Sequence, residues 1–399
     1  MPDKFTETKT IGLGSRVGSS VKNVFAGLLM FVASFGVLYW NEGRIDLSSV
    51  ANQAVEISSE VANTDTSLNG KLVSLTGNVT TTETLGDDWL LLPGSYIGVE
   101  RVAEMYAWVE KTEEKEQSNL GGSQTVETTY SYVKEWKTDP ANSSSFKYSE
   151  GHVNPTMSSK GGEYVVDDAK VGVYSIDPGK IDLPEYSDLT LEPEMLSLEG
   201  SKATLANDQY IYLAYATGSS LNSPTVGDVR ISYKVLEPSF DGTVFGKLKN
   251  SQIDPYFDKD QNELYRLFTG TRDEAIATLH GEFVMMLWLM RALGFLLMWV
   301  GLTALFGPFT TLLDIIPILG SLGRGVVGAV MFVVALVLAA ITIVVSMIIH
   351  NIVALIIVII LALAGLGYSM NILRKKLKEK QPGGLGGLGG IVGGLMGKK

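Results

Sequence analysis

The chain has 399 residues, 46 % of them apolar, and a mean hydropathy of +0.19, high enough to point to membrane segments. Cysteine is absent, which excludes disulfides, thiolate metal sites and a cysteine nucleophile. The net charge of −11 is uneven: residues 41 to 282 carry 39 acidic and 19 basic side chains, the remainder 13 basic and 4 acidic. Nucleic acid is thereby excluded as a partner of the central region, while the basic ends suit an anionic membrane surface.

Residues 1–23 read as a basic cytoplasmic segment, with Lys4, Lys9, Arg16 and Lys22 ahead of an uncharged stretch from Val24 to Trp40. That stretch exceeds the usual signal-peptide core of about 7 to 15 residues and reaches the lower limit for spanning a bilayer. It is read as transmembrane helix 1 (24–40), a retained anchor. Tyr39 and Trp40 then form its aromatic belt. Trp40-Asn41-Glu42-Gly43-Arg44 reads as a membrane junction, in which Trp40 sets depth, Gly43 allows a close turn or a positive φ, and Arg44 reaches a lipid phosphate or a carboxylate such as Glu282.

Residues 41–282 have the texture of strand and turn, with strands predicted over Lys71 to Thr80, Glu163 to Ser175, Gln209 to Ala216, Val229 to Leu236 and Thr243 to Leu248. Ala103 to Glu116 and Thr125 to Lys137 flank a Gly-rich turn and predict a long β-hairpin. Helical periodicity is confined to Ser48 to Val61 and to a helix opened by Thr271-Arg272-Asp273-Glu274, a capping box. The fold class is a multipass α-helical membrane protein of about four spans with a large β-rich α+β extracytoplasmic domain.

The remaining segments are an interfacial stretch with transmembrane helix 2 (283–306), a cytoplasmic interfacial or re-entrant loop (307–325), transmembrane helices 3 (326–348) and 4 (352–368), and a basic, Gly-rich cytoplasmic tail (371–399). An unbroken helix from Val326 to Tyr368 would be about 65 Å long, twice a bilayer core, so it turns back at His350-Asn351. The basic-residue bias puts the two ends and the 307–325 loop inside and residues 41–282 outside the cytoplasm.

Chemistry-bearing patterns are sparse. His152, His280 and His350 have no metal-ligand spacing, and no P-loop, Rossmann fingerprint or G-x-S-x-G occurs. No catalytic, cofactor or metal residue is therefore assigned. Glu104, Glu110 and Glu135 fit acidic surface strands as well as a carboxylate pair. Tyr106, Trp108, Tyr130, Tyr132 and Trp136 fit an interaction face, or cross-strand pairs that hold a sheet. Arg291, Asp314, Arg324 and His350 are polar groups close to the membrane.

Several stretches in order, Asn41-Glu42-Gly43-Arg44, Glu104-Met105-Tyr106-Ala107-Trp108-Val109-Glu110, Tyr130-Ser131-Tyr132 with Glu135-Trp136, Gly151-His152 with Asn154-Pro155, Val226-Gly227-Asp228-Val229-Arg230 and Arg291-Ala292-Leu293-Gly294, resemble the transmembrane protein 43 (LUMA) family. The resemblance implies a multipass protein without enzymatic chemistry that organises membrane-associated complexes. In animal members it implies a domain in the endoplasmic reticulum and nuclear-envelope lumen, with emerin and lamins as partners, and those partners are not carried over to this chain.

The reading is a non-enzymatic scaffold of membrane protein complexes or membrane integrity. Its partners are the lipid bilayer, other membrane proteins and, in a homo-oligomer, further copies of itself. A transport or channel component is the first alternative and a membrane-bound hydrolase the second. The absence of cysteine and the Gly-Leu tail carry no eukaryotic signal, so a prokaryotic plasma membrane is expected, with the endoplasmic reticulum or inner nuclear membrane as the alternative.

Overall fold

The computed structural model describes residues 3–62, 64–314, 317–351, 355–361, 363–364 and 368–370. Strand β1 (Lys4–Ile11) leads through Gly12 into helix α1 (Leu13–Glu42), and Asp46 caps the short helix α2 (Leu47–Ala51) by accepting from Ser48 N at 2.9 Å. The body continues with β2 (Val55–Glu56), β3 (Leu72–Thr80), β4 (Gly98–Ser118) and β5 (Gln124–Lys137). Six short strands, β6 to β11, lie between Gly162 and Leu213; β12 (Val229–Leu236) and β13 (Phe240–Lys249) follow, then four short strands, β14 to β17, between Gln252 and Thr269. The helices α3 (Arg272–Leu305), α4 (Gly307–Leu313) and α5 (Pro317–His350) complete the order.

Two large sheets build most of the body, beside a two-stranded one of β15 and β16. The first, of eight strands, has β1, β5, β4 and β12 as consecutive neighbours, all antiparallel. Along β12, Val229, Ile231, Tyr233 and Val235 are buried while Arg230, Ser232 and Lys234 are partly exposed, the period of two of a half-buried strand. They pack with Val99, Ala103, Met105 and Ala107 of β4. The second sheet, of seven strands, is centred on the antiparallel pair β3 and β13, and its Val73, Leu75, Val79, Val244 and Leu248 form a second core. Beyond Ala107 the hairpin β4–β5 has no buried residue on β4, while β1 pairs with β5 along this outer part.

The predicted hairpin, the strands over Lys71–Thr80 and Val229–Leu236, and the capping box correspond to observed elements. The Thr271 side chain accepts from Glu274 N while Thr271 N donates to Glu274 Oε2 at 2.8 Å. The helix expected over Ser48 to Val61 stops at Ala51, because Val55 and Glu56 pair in parallel with Val73 and Ser74 and sheet hydrogen bonds replace helical ones. Residues 307–325 are largely helical rather than a loop. Pro317 stands at the first position of α5, where its missing N–H costs nothing, and Arg324 lies within that helix.

The N-terminal segment holds a strand that the sequence analysis did not place. Residues Lys4–Ile11 form an eight-residue ladder with β5, from Lys4↔Ser131 to Ile11↔Gln124. The segment read as a basic lead-in to the first span thus contributes the edge strand of the first sheet. Arg16 Nη1 also donates to Gly122 O at 2.7 Å, seating the first turns of α1 on the hairpin tip.

Among the described residues, three helical segments are long and apolar enough to cross a membrane, within α1, α3 and α5. They pack through Leu38, Met298, Leu302, Ala335 and Ala339. Helices α1 and α3 approach closely at Gly27 and Gly301: a Cβ on Gly27 would lie 2.7 Å from Ala304 Cβ, and one on Gly301 would lie 2.7 Å from Gly27 O. The predicted fourth span (352–368) falls only partly within the described residues, and the tail (371–399) lies outside them.

Candidate membrane-junction site

The helices meet the body where α1 ends. Gly43 N donates to Trp40 O and closes the helix, and every residue of the Trp40–Arg44 stretch is engaged there. Asn41 is fully buried, and its Nδ2 donates to Leu287 O of α3 at 3.0 Å. Glu42 accepts from Arg291 Nε at 2.7 Å and Nη2 at 2.8 Å, a bidentate pair whose carboxylate is 3 % exposed. The guanidinium of Arg44 lies 5.7 Å from the Trp40 ring centroid and 5.9 Å from that of Phe283.

Two details differ from the expectations for this stretch. Gly43 has φ −89, an ordinary helical value, so a positive φ is not its reason. Space is: a Cβ there would fall on the imidazole of His350, 2.7 Å from its Cδ2. Arg44 does not pair with Glu282, which instead accepts from Arg266 at 2.5 and 2.8 Å.

His350 ends α5. Its Nδ1 lies 2.9 Å from Ser346 O, and because a carbonyl only accepts, Nδ1 carries the proton and Nε2 faces Gly43. The ring packs on Tyr39 at 4.6 Å, and Ser346 Oγ donates to Tyr39 O, so α5 is fastened to the end of α1. Above this floor is a cavity of about 650 Å³ roofed by residues 260–263 of the body. Ala275 and Leu279 of α3 pack with Phe245 and Phe268 of the second sheet, giving the body and the bundle a shared core.

The other polar cluster lies at the opposite end of α1. Asp314 is fully buried and is held by Arg16 and Arg324, and the second of these also approaches Ser118 Oγ of the hairpin. Arg291 and His350 thus belong to one end of the bundle, Asp314 and Arg324 to the other.

The five aromatics of the hairpin all have partners, in the sheet or in the loop that packs on it. Tyr106 faces Trp136 across the strands at 5.2 Å, and Lys134 covers Trp108 at 4.6 Å. Tyr132 is buried, stacks on His152 at 3.9 Å and donates to Glu110 at 2.6 Å; burial and then that hydrogen bond push its phenol up to about 12. Tyr130 meets Tyr148 edge-on. Glu104 accepts from Arg230, and Glu135 is paired with Lys111 and Lys137, so these carboxylates, like Glu110, serve cross-strand contacts.

Residues 105–352 match the family described as Transmembrane protein 43. The chain belongs to the transmembrane protein 43 family. It is 28 % identical over 355 residues to the rat and mouse Transmembrane protein 43, covering 84 % of this chain and 86 % of each relative. With the human protein it shares 28 % over 348 residues, and with the fruit-fly homolog 26 % over 292 residues, covering 69 % of this chain and 74 % of the homolog. No solved structure matches it. Membership makes it a membrane protein of that family, in keeping with its apolar helices.

One motif behind the family resemblance acquires a structural meaning that the sequence did not disclose. In Val226-Gly227-Asp228-Val229-Arg230, Gly227 takes φ +104 and Asp228 is fully buried. Its carboxylate accepts from Tyr212 Oη at 2.5 Å, Tyr215 N at 2.7 Å, Ser219 Oγ at 2.9 Å and Thr225 N at 2.6 Å. Asp87 is a similar hub, accepting from Leu90 N, Leu91 N, Arg101 and Tyr233. Neither hub has a sequence signal beyond an acidic residue that follows a glycine.

Proposed function

We propose that this transmembrane protein 43 relative is a non-enzymatic membrane organiser, whose β-rich body is held in fixed register on an apolar bundle and offers a surface to other membrane proteins. The observation that carries the reading is the nearly buried Glu42–Arg291 pair, together with the shared Ala275–Leu279 core. Rigid coupling of a large domain to membrane helices suits a scaffold, which must present its surface in a fixed register. The engaged states of Glu104, Glu110 and Glu135 support the same reading. Polar groups at the two ends of the bundle, with Leu38, Met298 and Leu302 between them, favour it over a transport path. The animal relatives fit the endoplasmic-reticulum and nuclear-envelope alternative for its membrane.

Crosslinking in native membranes, followed by identification of neighbours and by sizing in mild detergent, tests this. Defined membrane-protein neighbours or self-association, diminished in Glu42→Gln, are expected. A monomer with no reproducible neighbour would sink the proposal.

A further inference from the structure

The cavity at the junction carries a ligand chemistry of its own. Arg44 on its floor makes no side-chain hydrogen bond or ion pair with any described residue, and its Nη1 is buried without a partner. The Nε2 edge of His350 also lines the space. From the roof come Asp260 and Glu263, whose carboxylates pair with no described side chain. The loop carrying them is stiffened by Asp258, which accepts from Asp260 N at 2.8 Å and Asn262 N at 2.9 Å. The Arg44 guanidinium below and two carboxylates above thus face one volume of about 650 Å³, within the usual ~300–1,000 Å³ of a small-molecule site.

The structure assigns this cavity to the headgroup of a zwitterionic aminophospholipid, with the phosphate on Arg44 and the primary ammonium on Asp260 and Glu263. The two carboxylates disfavour a purely anionic headgroup, because one permanent cation does not balance them against a further negative charge. Arg44 lines the floor without an ion-pair partner among the described residues, so an anionic group in the cavity offsets a cation left without one. A lipid rather than a soluble phosphoester is indicated by the rim: Trp40 and Tyr39 are 60 % and 47 % exposed, and the adjoining face of α1 exposes Val32, Leu29 and Phe25, an apolar track for acyl chains. The inference rests on the preceding proposal only in taking the junction to lie at a membrane surface.

The test uses the full-length protein in mild detergent, with native mass spectrometry of lipid retained from equal mixtures of phosphatidylethanolamine, phosphatidylcholine and phosphatidylglycerol. Wild type is expected to retain phosphatidylethanolamine about tenfold over phosphatidylglycerol, the ratio that one charge-assisted hydrogen bond supplies. Arg44→Gln should lose retention of all three. The double variant Asp260→Asn with Glu263→Gln should keep binding but shift its preference to phosphatidylglycerol. Equal retention of the three lipids by wild type, or an unchanged ratio in the double variant, overturns the inference. Competition by soluble glycerophosphoethanolamine as strong as by the lipid overturns the lipid as its source. Because sizing and neighbour identification run on the same preparations, a lost lipid preference with intact assembly sinks this inference alone.

Discussion

Glu42 and Arg291 join the last turn of α1 to the middle of α3 through two parallel hydrogen bonds, the carboxylate 3 % and the guanidinium 16 % exposed. Removing one member of such a pair strands the other, at about 3–5 kcal/mol. Glu42→Gln should therefore lower the thermal midpoint in detergent far more than Glu282→Gln, whose carboxylate is 43 % exposed and is worth under about 1 kcal/mol. Equal losses for the two variants would show that the junction pair does not hold the body to the bundle.

Gly43 is constrained by His350 rather than by backbone torsion. Gly43→Val should still insert but should raise protease sensitivity of residues 41–282 and alter oligomer size. Adding His350→Ala to the same chain removes the obstacle and should restore much of the wild-type behaviour. No rescue in the double variant would mean that the close approach is not what limits the site.

Acid should loosen the body through its two aspartate hubs. Burial works to raise the carboxyls of Asp87 and Asp228, and the hydrogen bonds they accept outweigh it, so both titrate below the ordinary value of 3.8. A lowered folded value gives stability that is complete above 3.8 and is lost as pH falls through the folded values. Denaturation curves should be flat in this respect above pH 5 and steepen below 3.8, and Asp228→Asn should reduce the slope. A slope unchanged in that variant would remove Asp228 as a contributor.

Local signals were the legible part of this protein. Thr271 and Glu274 lie three residues apart and need nothing else to form their capping box, and the apolar runs of α1, α3 and α5 declare themselves by length alone. The alternation from Val229 to Leu236 and the Gly-rich turn between β4 and β5 are likewise nearest-neighbour properties, and with the ordered motifs they sufficed for the family. Tertiary structure alone decided what each polar group near the membrane meets. Glu42 finds Arg291 across 249 positions, Gly43 is shaped by a histidine at the far end of α5, and Glu282 goes to Arg266 rather than to Arg44. The strand at Lys4–Ile11 was hidden for the same physical reason. An eight-residue polar segment has no buried face of its own to pattern it, and it becomes a strand only because β5, from Gln124 to Ser131, offers an open edge far along the chain.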